Sequence, residues 1–225
     1  HHKPGDKLPK AVAVLNAKRE DCSYPFDELC GCGVGFKLIQ ALASKRGQTL
    51  EDLTQYLDLV ATAIAADIVP ITGENRILTY FGLQVINSNP RNGIKAIIQG
   101  VKKNILTITD VVFIIAPRIN AAGRMKHGNY AVELLTEMDY ETAISFAASI
   151  EKFNIERKEI DKKITYEALQ QIESANEKEK FSTVVYSENW HKGVIGIVAS
   201  RLIESFYRPT LVFTKSGNKL AASAR

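Results

Sequence analysis

Apolar residues in the first half of the chain recur mainly with the period of a helix. Between residues 50 and 64 they fall at alternating steps of three and four, which predicts an amphipathic helix. Residues 36–45 and 75–85 indicate two shorter helices. Two short apolar runs, at residues 11–15 and 111–115, are bounded by charged or turn-forming residues, so we predict a buried strand for each.

A long charged segment follows. From about Tyr140 to Asn176 the chain contains no Pro or Gly, and apolar side chains recur at helical steps among many charges, which predicts one long helix. On its pattern alone, this helix fits a bundle inside one domain as well as a bridge between two domains. Beyond it the pattern changes to strand, helix, strand and the start of a further strand, at residues 181–186, 193–206, 210–214 and 220–224. Alternating elements of this kind predict an α/β lobe.

The composition is that of a globular protein and excludes several other classes. Of the 225 residues, 45% are hydrophobic and 24% are charged, which excludes collagen-like, disordered and coiled-coil chains. The longest apolar runs fall short of the ~18 residues that a membrane span needs, so we expect no membrane partner. The start lacks both an initiator Met and the apolar core of a signal peptide, which indicates a piece excised from a longer protein.

Charge is spread unevenly along the chain. Residues 1–138 carry 16 Lys and Arg against 13 Asp and Glu, a net +3. Residues 139–180 carry 7 against 10, a net −3, and residues 181–225 carry 6 against 2, a net +4. Two basic segments around an acidic middle predict two lobes joined by a solvated connector, and basic lobes favour an anionic partner.

The three cysteines, Cys22, Cys30 and Cys32, cannot all pair, and the last two are too close for an ordinary disulfide. A reducing compartment, the cytoplasm, is therefore the plain interpretation. A zinc site is the alternative, although one Cys-x-Cys and a distant Cys lack the paired spacing that zinc sites use.

Two features near the start of the chain could bind a metal ion. Asp67 is the only charged residue from residue 59 to residue 73, and it lies where a predicted helix ends, so it needs a compensating cation or strong hydrogen bonds. The alternative is a turn-capping Asp before Pro70. His1 and His2 could place one imidazole on a metal and the other on a substrate oxygen. A vector-derived His tag leaves the same trace, and on these residues alone the tag is the favoured interpretation.

Three further segments carry groups that suit phosphate. Arg118, Asn120 and Arg124 follow the predicted strand at residues 111–115, which would place them at the carboxyl edge of a sheet, although a solvated loop also tolerates two arginines. Residues 190–201, Trp-His-Lys-Gly-Val-Ile-Gly-Ile-Val-Ala-Ser-Arg, open a helix with glycines after a strand and an exposed Trp-His pair, an arrangement in which free N–H groups hold phosphate. In that segment Trp190 could equally be a core anchor. The last segment contains Ser223 and Arg225, which share one face of a strand and could grip one anion.

Taken together, these segments resemble the RecJ branch of the DHH phosphoesterase family, the single-strand-specific 5′ exonucleases. The resemblance rests on His-His-Lys-Pro-Gly at the start, the run at residues 21–37, Ala-Ala-Asp-Ile-Val-Pro at 65–70 with Gly-Glu-Asn-Arg at 73–76, Ala-Pro-Arg-Ile-Asn-Ala-Ala-Gly-Arg at 116–124, the segment at 190–201 and Ser-Ala-Arg at the end. These motifs cover nearly the whole chain in the family's order. Because the residues after His2 fit the family too, the resemblance replaces the tag interpretation.

The resemblance implies a fold and a division into domains. The fold would be α/β, with the C-terminal part of a DHH catalytic domain, a long connector helix and the start of a smaller α/β second domain. The partial catalytic domain would cover residues 1–138, the connector helix 139–178, and a partial DHHA1-like second domain 179–225.

The resemblance also implies a role for each matching residue. His1 and Asp67 would be ligands of a catalytic Mn²⁺ or Mg²⁺ pair, with His2 facing the scissile phosphate. Arg118, Asn120 and Arg124 would line the substrate cleft. His191 and Gly193 would belong to a phosphate-binding turn of the second lobe, and Ser223 and Arg225 would bind the terminal 5′-phosphate.

The implied activity is processive 5′-to-3′ hydrolysis of single-stranded DNA in recombination and repair, by a cytoplasmic monomer that could work with a single-strand-binding protein or a helicase. The family's Asp-x-Asp motif, its second motif and the Asp before the two histidines are absent from the chain, so we expect a partial two-metal site and no activity from these residues alone. The alternatives are a DHH phosphodiesterase for short oligonucleotides or small phosphate esters, and a catalytically dead DHH scaffold.

Overall fold

A computed structural model describes residues 1–175 and 180–225. The first part of the chain is helical. Its helices are α1 (Gly31–Lys45), a 3₁₀ helix (Glu51–Tyr56), α2 (Leu57–Asp67), α3 (Gly73–Ser88), α4 (Asn92–Ile98), α5 (Ile108–Asp110), a π-helical stretch (Val111–Ile115), α6 (Ala116–Met125), α7 (Asn129–Thr136) and α8 (Tyr140–Ser174). The remaining elements are β1 (Thr183–Tyr186), α9 (Ile195–Phe206), β2 (Thr210–Ser216) and β3 (Lys219–Ala224). The predicted mixed α/β fold is confirmed.

The chain divides into two compact units. Unit 1 contains residues 1–120 and 132–147, and unit 2 contains residues 121–131 and 148–225. The predicted long helix is confirmed as α8, from Tyr140 to Ser174. The division into three domains stays a prediction, and its boundary between residues 178 and 179 lies outside the described residues, as does the expected helix end at residue 176.

Helices α1, α2 and α3 build the core of unit 1. Their buried apolar residues form one cluster that includes Phe36, Leu57, Val60 and Ile64. Gly82 allows α3 to approach α2 closely, because a Cβ at residue 82 would lie 2.3 Å from the carbonyl oxygen of Leu57. The close crossing fixes α2, the helix that ends at Asp67.

The predicted strand at residues 111–115 is wrong, because the helix there begins before the apolar run does. Thr107 and Asp110 form a capping box at the start of α5, which satisfies the first helical N–H groups. The apolar run then continues an existing helix. Val111 and Ile115 are fully buried while Phe113 is 72% exposed, which is the spacing of a helix face and not the alternation of a strand.

The predicted buried strand at residues 11–15 is also wrong. These residues adopt no regular structure, and Val12 and Leu15 are exposed. Their backbone forms no ladder with any strand in the described ranges 1–175 and 180–225. A strand pattern without a neighbour leaves its N–H and C=O groups to solvent, so the pattern alone does not fold the segment.

Unit 2 contains a three-stranded sheet of order β1-β2-β3, covered by helices. β1 pairs parallel with β2, with Val185 opposite Val212. β2 pairs antiparallel with β3, with Val212 opposite Ser223. The buried core joins the sheet to α9 and to the later turns of α8, through Ile164, Ala168, Val198 and Leu202 among others. The strand, helix, strand, strand order predicted for this lobe is confirmed.

Trp190 is part of that core. Its side chain is 4% exposed, and its indole Nε1 donates a hydrogen bond of 2.7 Å to Oε2 of Glu167. The expectation of an exposed Trp-His pair is therefore wrong, and the core-anchor alternative is correct. A large ring gains more by burial than by exposure when its N–H finds an acceptor.

Candidate metal and phosphate sites

The structure brings His1 and Asp67 together in unit 1. His1 Nε2 lies 3.5 Å from Asp67 Oδ2, and the two side chains are 29% and 41% exposed. Asp67 is the last residue of α2, so the helix places its carboxylate at the surface instead of within the core. An imidazole nitrogen and a carboxylate oxygen are thus within contact distance of each other, and both side chains are accessible to solvent.

Local features hold Asp67 in place. Ile68, the next residue, adopts a left-handed conformation with φ 55°, which is strained for a β-branched residue and turns the chain sharply after the helix. Asn75 then ties the following loop down, since its Nδ2 donates to the carbonyl oxygens of Pro70 at 2.9 Å and Glu28 at 2.7 Å. The turn is therefore fixed at both ends.

Gly31 makes room for the imidazole of His1. A Cβ at residue 31 would lie 3.0 Å from His1 Nδ1, closer than ordinary packing allows. Gly31 opens α1, and its neighbour Cys30 caps that helix by accepting a hydrogen bond from the N–H of Gly33 on its sulfur. The first turn of α1 thus forms the wall against which His1 lies.

A pocket of about 360 Å³ adjoins His1 and Asp67. Asn120, the fifth residue of α6, also lines it. Most of the remaining wall is apolar and includes Leu59, Ala63 and Ile119. The pocket thus offers a few polar groups above an apolar floor, as small-molecule sites commonly do.

Cys30 and Cys32 also line this pocket. Burial raises the pKa of both thiols, that of Cys32 to about 11, so at neutral pH they are protonated and behave as apolar groups. All three cysteines are free.

His2 and Arg118, the other candidate residues of unit 1, lie near this region with different surroundings. His2 is exposed, and its ring centroid lies 4.0 Å from that of His1, with the two rings tilted by 44°. Arg118 is half-buried on α6, and its Nη1 donates a hydrogen bond of 2.7 Å to the carbonyl oxygen of Ile114. The segment 116–124 is helical, so the expectation that it follows a strand at a sheet edge is wrong.

In unit 2, Arg124, His191 and Gly193 are in direct contact. Nη1 of Arg124 donates to the carbonyl oxygen of Gly193 at 3.2 Å, and the N–H of Gly193 donates to Nδ1 of His191 at 3.1 Å. A Cβ at residue 193 would lie 2.2 Å from the carbonyl oxygen of Arg124, so this position requires glycine. The glycine therefore serves a close approach of two backbones.

Ser223 and Arg225 lie against the first turn of α9. A Cβ at Gly196 would meet Ser223 Oγ at 3.2 Å and Arg225 Nη2 at 3.5 Å. The ladder between β2 and the end of the chain continues through two backbone hydrogen bonds between Thr210 and Arg225. The structure therefore brings a hydroxyl, a guanidinium and a helix N-terminus together, which suits a phosphate group.

The donor set of unit 1 fits a divalent ion in part. Imidazole nitrogen and carboxylate oxygen are ligands for Mn²⁺, and their 3.5 Å separation is close to the ~3 Å between neighbouring ligands of an octahedral ion. Across residues 1–175 and 180–225, no group of three or more His, Cys, Asp and Glu side chains is arranged to hold a metal. Within the described residues, His1 and Asp67 are thus a pair of possible donors and not a complete metal site.

Known proteins show the same chain organisation. Residues 1–64 match the family model "DHH family, N-terminal domain". The chain is 36% identical to "Single-stranded-DNA-specific exonuclease RecJ" of Dickeya dadantii, over 97% of this chain and 40% of that protein. It is also 39% identical to the Bacillus subtilis protein of the same name, and that match covers 94% of this chain and 26% of the Bacillus subtilis protein.

A solved crystal structure of RecJ from Thermus thermophilus, in complex with Mn²⁺, superposes with a TM-score of 0.84. The Thermus thermophilus RecJ is 31% identical to this protein, and the match covers 95% of this chain and 32% of the RecJ chain. The α/β fold and the matched family model define the class, and the chain belongs to the DHH family of phosphoesterases. Within that family it is a sequence of the RecJ branch. It spans less than half the length of these curated relatives.

Sequence reasoning missed Gly31 and Asn75. Neither side chain belongs to the proposed donor set, and each acts through contacts with residues distant in sequence or in a neighbouring loop, so hydrophobic periodicity does not mark them. The sequence feature that could have identified Asn75 is its place in the Gly-Glu-Asn-Arg motif at residues 73–76, shortly after the Asp67 segment.

None of the helices in the described part of the chain combines the length and apolar character that a membrane crossing requires.

Proposed function

We propose that this protein is a metal-dependent exonuclease that hydrolyses single-stranded DNA from its 5′ end. One observation carries the proposal: His1 and Asp67, which the sequence separates widely, meet at 3.5 Å beside a pocket. The described activity of the RecJ relatives supports the substrate and the reaction. We further propose a cytoplasmic monomer that acts in recombination and repair, with a single-strand-binding protein or a helicase as candidate partners.

His1 and Asp67 would hold a divalent Mn²⁺ or Mg²⁺. When bound, such ions activate water and stabilise charge on the phosphoryl oxygens. His1 offers Nε2 to the site, and Gly31 leaves the space that its imidazole ring occupies. Asp67 offers a carboxylate that the strained turn at Ile68 holds at the helix end.

The neighbouring residues would bind and orient the strand. His2 is exposed next to His1, so its imidazole can face the scissile phosphate and exchange a proton with it. Asn120 lines the pocket and can donate its amide hydrogens to a substrate oxygen. Arg118 and Arg124 carry permanent charges that suit a phosphodiester.

Unit 2 would bind the terminal 5′-phosphate. Ser223 Oγ and the guanidinium of Arg225 lie beside Gly196 at the start of α9, where the positive end of the helix dipole adds to the attraction for an anion. His191 and Gly193 form the turn before that helix. Recognition of a terminal phosphate would explain a preference for 5′ ends.

The metal site is tested by Mn²⁺ binding. Asp67→Asn should weaken the binding of Mn²⁺, followed by electron paramagnetic resonance, by more than about tenfold because one of two protein ligands loses its charge. Asp27→Asn is the matched control, since Asp27 is exposed in the same unit and loses the same charge. Equal Mn²⁺ affinity of the wild-type chain and the Asp67 variant would refute the proposed ligand.

The activity is tested with labelled oligonucleotides. These 225 residues alone should not degrade single-stranded DNA, because two ligands do not hold two ions ~3.5–4 Å apart. In the full-length protein, Asp67→Asn should abolish the release of mononucleotides from long single strands of DNA. Faster cleavage of dinucleotides than of long strands would favour a small-substrate phosphodiesterase, and full metal binding without cleavage would indicate a scaffold.

A further inference from the structure

A π-helical turn interrupts the helix that carries Arg118 and Asn120. The chain is helical without a break from α5 to α6, but residues 111–115 between them are π-helical. The N–H of Ala116 donates to the carbonyl oxygen of Val111, five residues earlier, where an α-helix would use the residue four earlier. This turn therefore holds one residue more than an α-helical turn does, and such turns are rare and often lie at functional sites.

Pro117 explains why the turn widens at this position. In an α-helix the residue at position 117 would donate its N–H to the carbonyl oxygen of Phe113, and proline has no N–H. The proline ring would also collide with that carbonyl, because the two groups meet across one α-helical turn. The π-helical stretch includes Phe113 and ends two residues before Pro117. The wider turn therefore gives the ring the room that an α-helix would not leave.

The side chain of Arg118 completes the turn. Its Nη1 donates a hydrogen bond of 2.7 Å to the carbonyl oxygen of Ile114. In an α-helix that carbonyl would instead accept from the backbone N–H of Arg118, four residues later. A bond from a guanidinium is charge-assisted, so the side chain of Arg118 is held firmly along its own helix. The orientation of Arg118 thus depends on the π-helical turn.

The same turn sets the direction in which the next residues of α6 face. An α-helix rotates by ~100° per residue, so one extra residue in a turn changes the direction of every later side chain by that angle. Ile119 and Asn120 line the pocket of the candidate metal site. Val111 and Ile115 are fully buried and fix the helix before the turn. Without the extra residue, the side chain of Asn120 would therefore rotate away from the pocket wall.

We propose that Pro117 is a positioning residue for the candidate site of unit 1. It acts through the backbone, because proline imposes the π-helical turn and offers no donor of its own. The turn in turn directs Asn120 to the pocket and holds the guanidinium of Arg118 against its own helix. The effect of Pro117 on hydrolysis rests on the proposed nuclease function, whereas its effect on the backbone does not.

Scalar couplings across hydrogen bonds, measured by nuclear magnetic resonance, test the backbone step on the 225-residue chain. In the wild-type chain the amide nitrogen of Ala116 should couple to the carbonyl carbon of Val111. In Pro117→Ala this coupling should move to the carbonyl carbon of Val112, because alanine removes the obstacle and has a higher helix propensity. The new N–H at residue 117 should then couple to the carbonyl carbon of Phe113. A coupling from Ala116 to Val111 that persists in the variant would overturn the proposal.

The full-length protein tests the effect on the reaction. Pro117→Ala should lower kcat/KM for single-stranded DNA by about tenfold, the effect of losing one hydrogen bond from Asn120 to the strand. The melting temperature should not fall, since alanine suits a helix better than proline. The affinity for Mn²⁺ should stay the same, because His1 and Asp67 lie on other segments. Pro9→Ala is the matched control, because Pro9 is exposed and lies outside the helices of the same unit, and this variant should keep the wild-type kcat/KM.

A double-variant cycle shows whether Pro117 acts through Asn120. Asn120→Ala alone should lower kcat/KM by about tenfold, and the addition of Pro117→Ala should lower it by less than about threefold more, because the side chain that the turn directs is already gone. Full additivity of the two losses would overturn the positioning role. So would an unchanged kcat/KM in Pro117→Ala, or a loss of Mn²⁺ affinity that indicates damage to the whole unit. If the wild-type full-length protein does not cleave single-stranded DNA, the proposed function fails, and the couplings of Ala116 still decide the backbone step.

Discussion

The ion pair between Asp58 and Arg91 allows a quantitative test of what holds unit 1 together. Asp58 lies on α2 and is fully buried. Its carboxylate accepts hydrogen bonds from the backbone N–H, Nε and Nη2 of Arg91, each at 2.9–3.0 Å. Arg91 also donates to the carbonyl oxygens of Leu135 and Gln55. One guanidinium thus ties α2 to the start of α4 and to the end of α7.

Replacing Arg91 with Met leaves the Asp58 carboxylate buried without its cation. Removal of one partner of a buried pair costs about 3–5 kcal/mol, far more than an exposed pair, because the remaining charge cannot reach water. For a chain of this size the melting temperature should fall by about 6–20 °C, at about 2–4 °C per kcal/mol. The double variant Asp58→Leu/Arg91→Met should recover most of that loss, since neither charge remains buried.

Urea and thermal unfolding followed by far-UV circular dichroism would measure these differences. Hydrogen exchange of the α2 amides would show whether the loss is local to that helix. A loss below about 1 kcal/mol in the Arg91 variant would refute the reasoning, because buried charges that lose their partner should cost several times more. A double variant as unstable as the sum of two separate losses would refute it as well.

Two further predictions concern backbone strain and pH. Ile68→Gly should stabilise the chain by about 0.5–1 kcal/mol in urea unfolding, because Ile68 is exposed and left-handed, and glycine relieves more backbone strain than its greater chain entropy costs. Tyr207, after α9, is also exposed and left-handed, so Tyr207→Gly is the matched change. Lower stability of both variants than of the wild-type chain would contradict this reasoning. The hydrogen bond from Lys103, and to a smaller extent those from Thr107, lower the pKa of Asp110 to about 2. The stability that the Asp110 carboxylate adds to the fold is therefore present above its unfolded pKa of about 4 and is lost as the pH falls towards 2. Urea midpoints of Asp110→Asn measured from about pH 5 to about pH 2 should vary less than those of the wild-type chain, and an equal slope would contradict the assignment.

Local pattern predicted the elements whose formation depends on near neighbours in sequence. The long helix α8 and the strands and helix of unit 2 appear where the periodicity placed them, because each has one apolar face long enough to be recognised. The run at residues 111–115 was misassigned for a local reason too. Its helix begins at a capping box before the apolar residues, and that cap outweighed the β-branched composition.

The candidate site residues depended more on the tertiary structure than the helices and strands did. Asp67 was recognised as an unusual lone acid, but the sequence left a metal ligand and a turn cap equally open. The structure places His1 beside it and so gives the carboxylate a neighbour with metal-binding chemistry.

The sequence by itself determined the donor groups, the order of the motifs and most of the helices. Side-chain chemistry belongs to each residue, and hydrophobic periodicity depends only on residues that are near one another along the chain. Only the tertiary structure decided which donors meet. His1 lies against Gly31 and Asp67, and Arg124 reaches Gly193, through backbone approaches that no local pattern encodes. The physical reason is that contacts between distant segments follow from how whole helices pack, and packing depends on volumes and close approaches summed over the entire core.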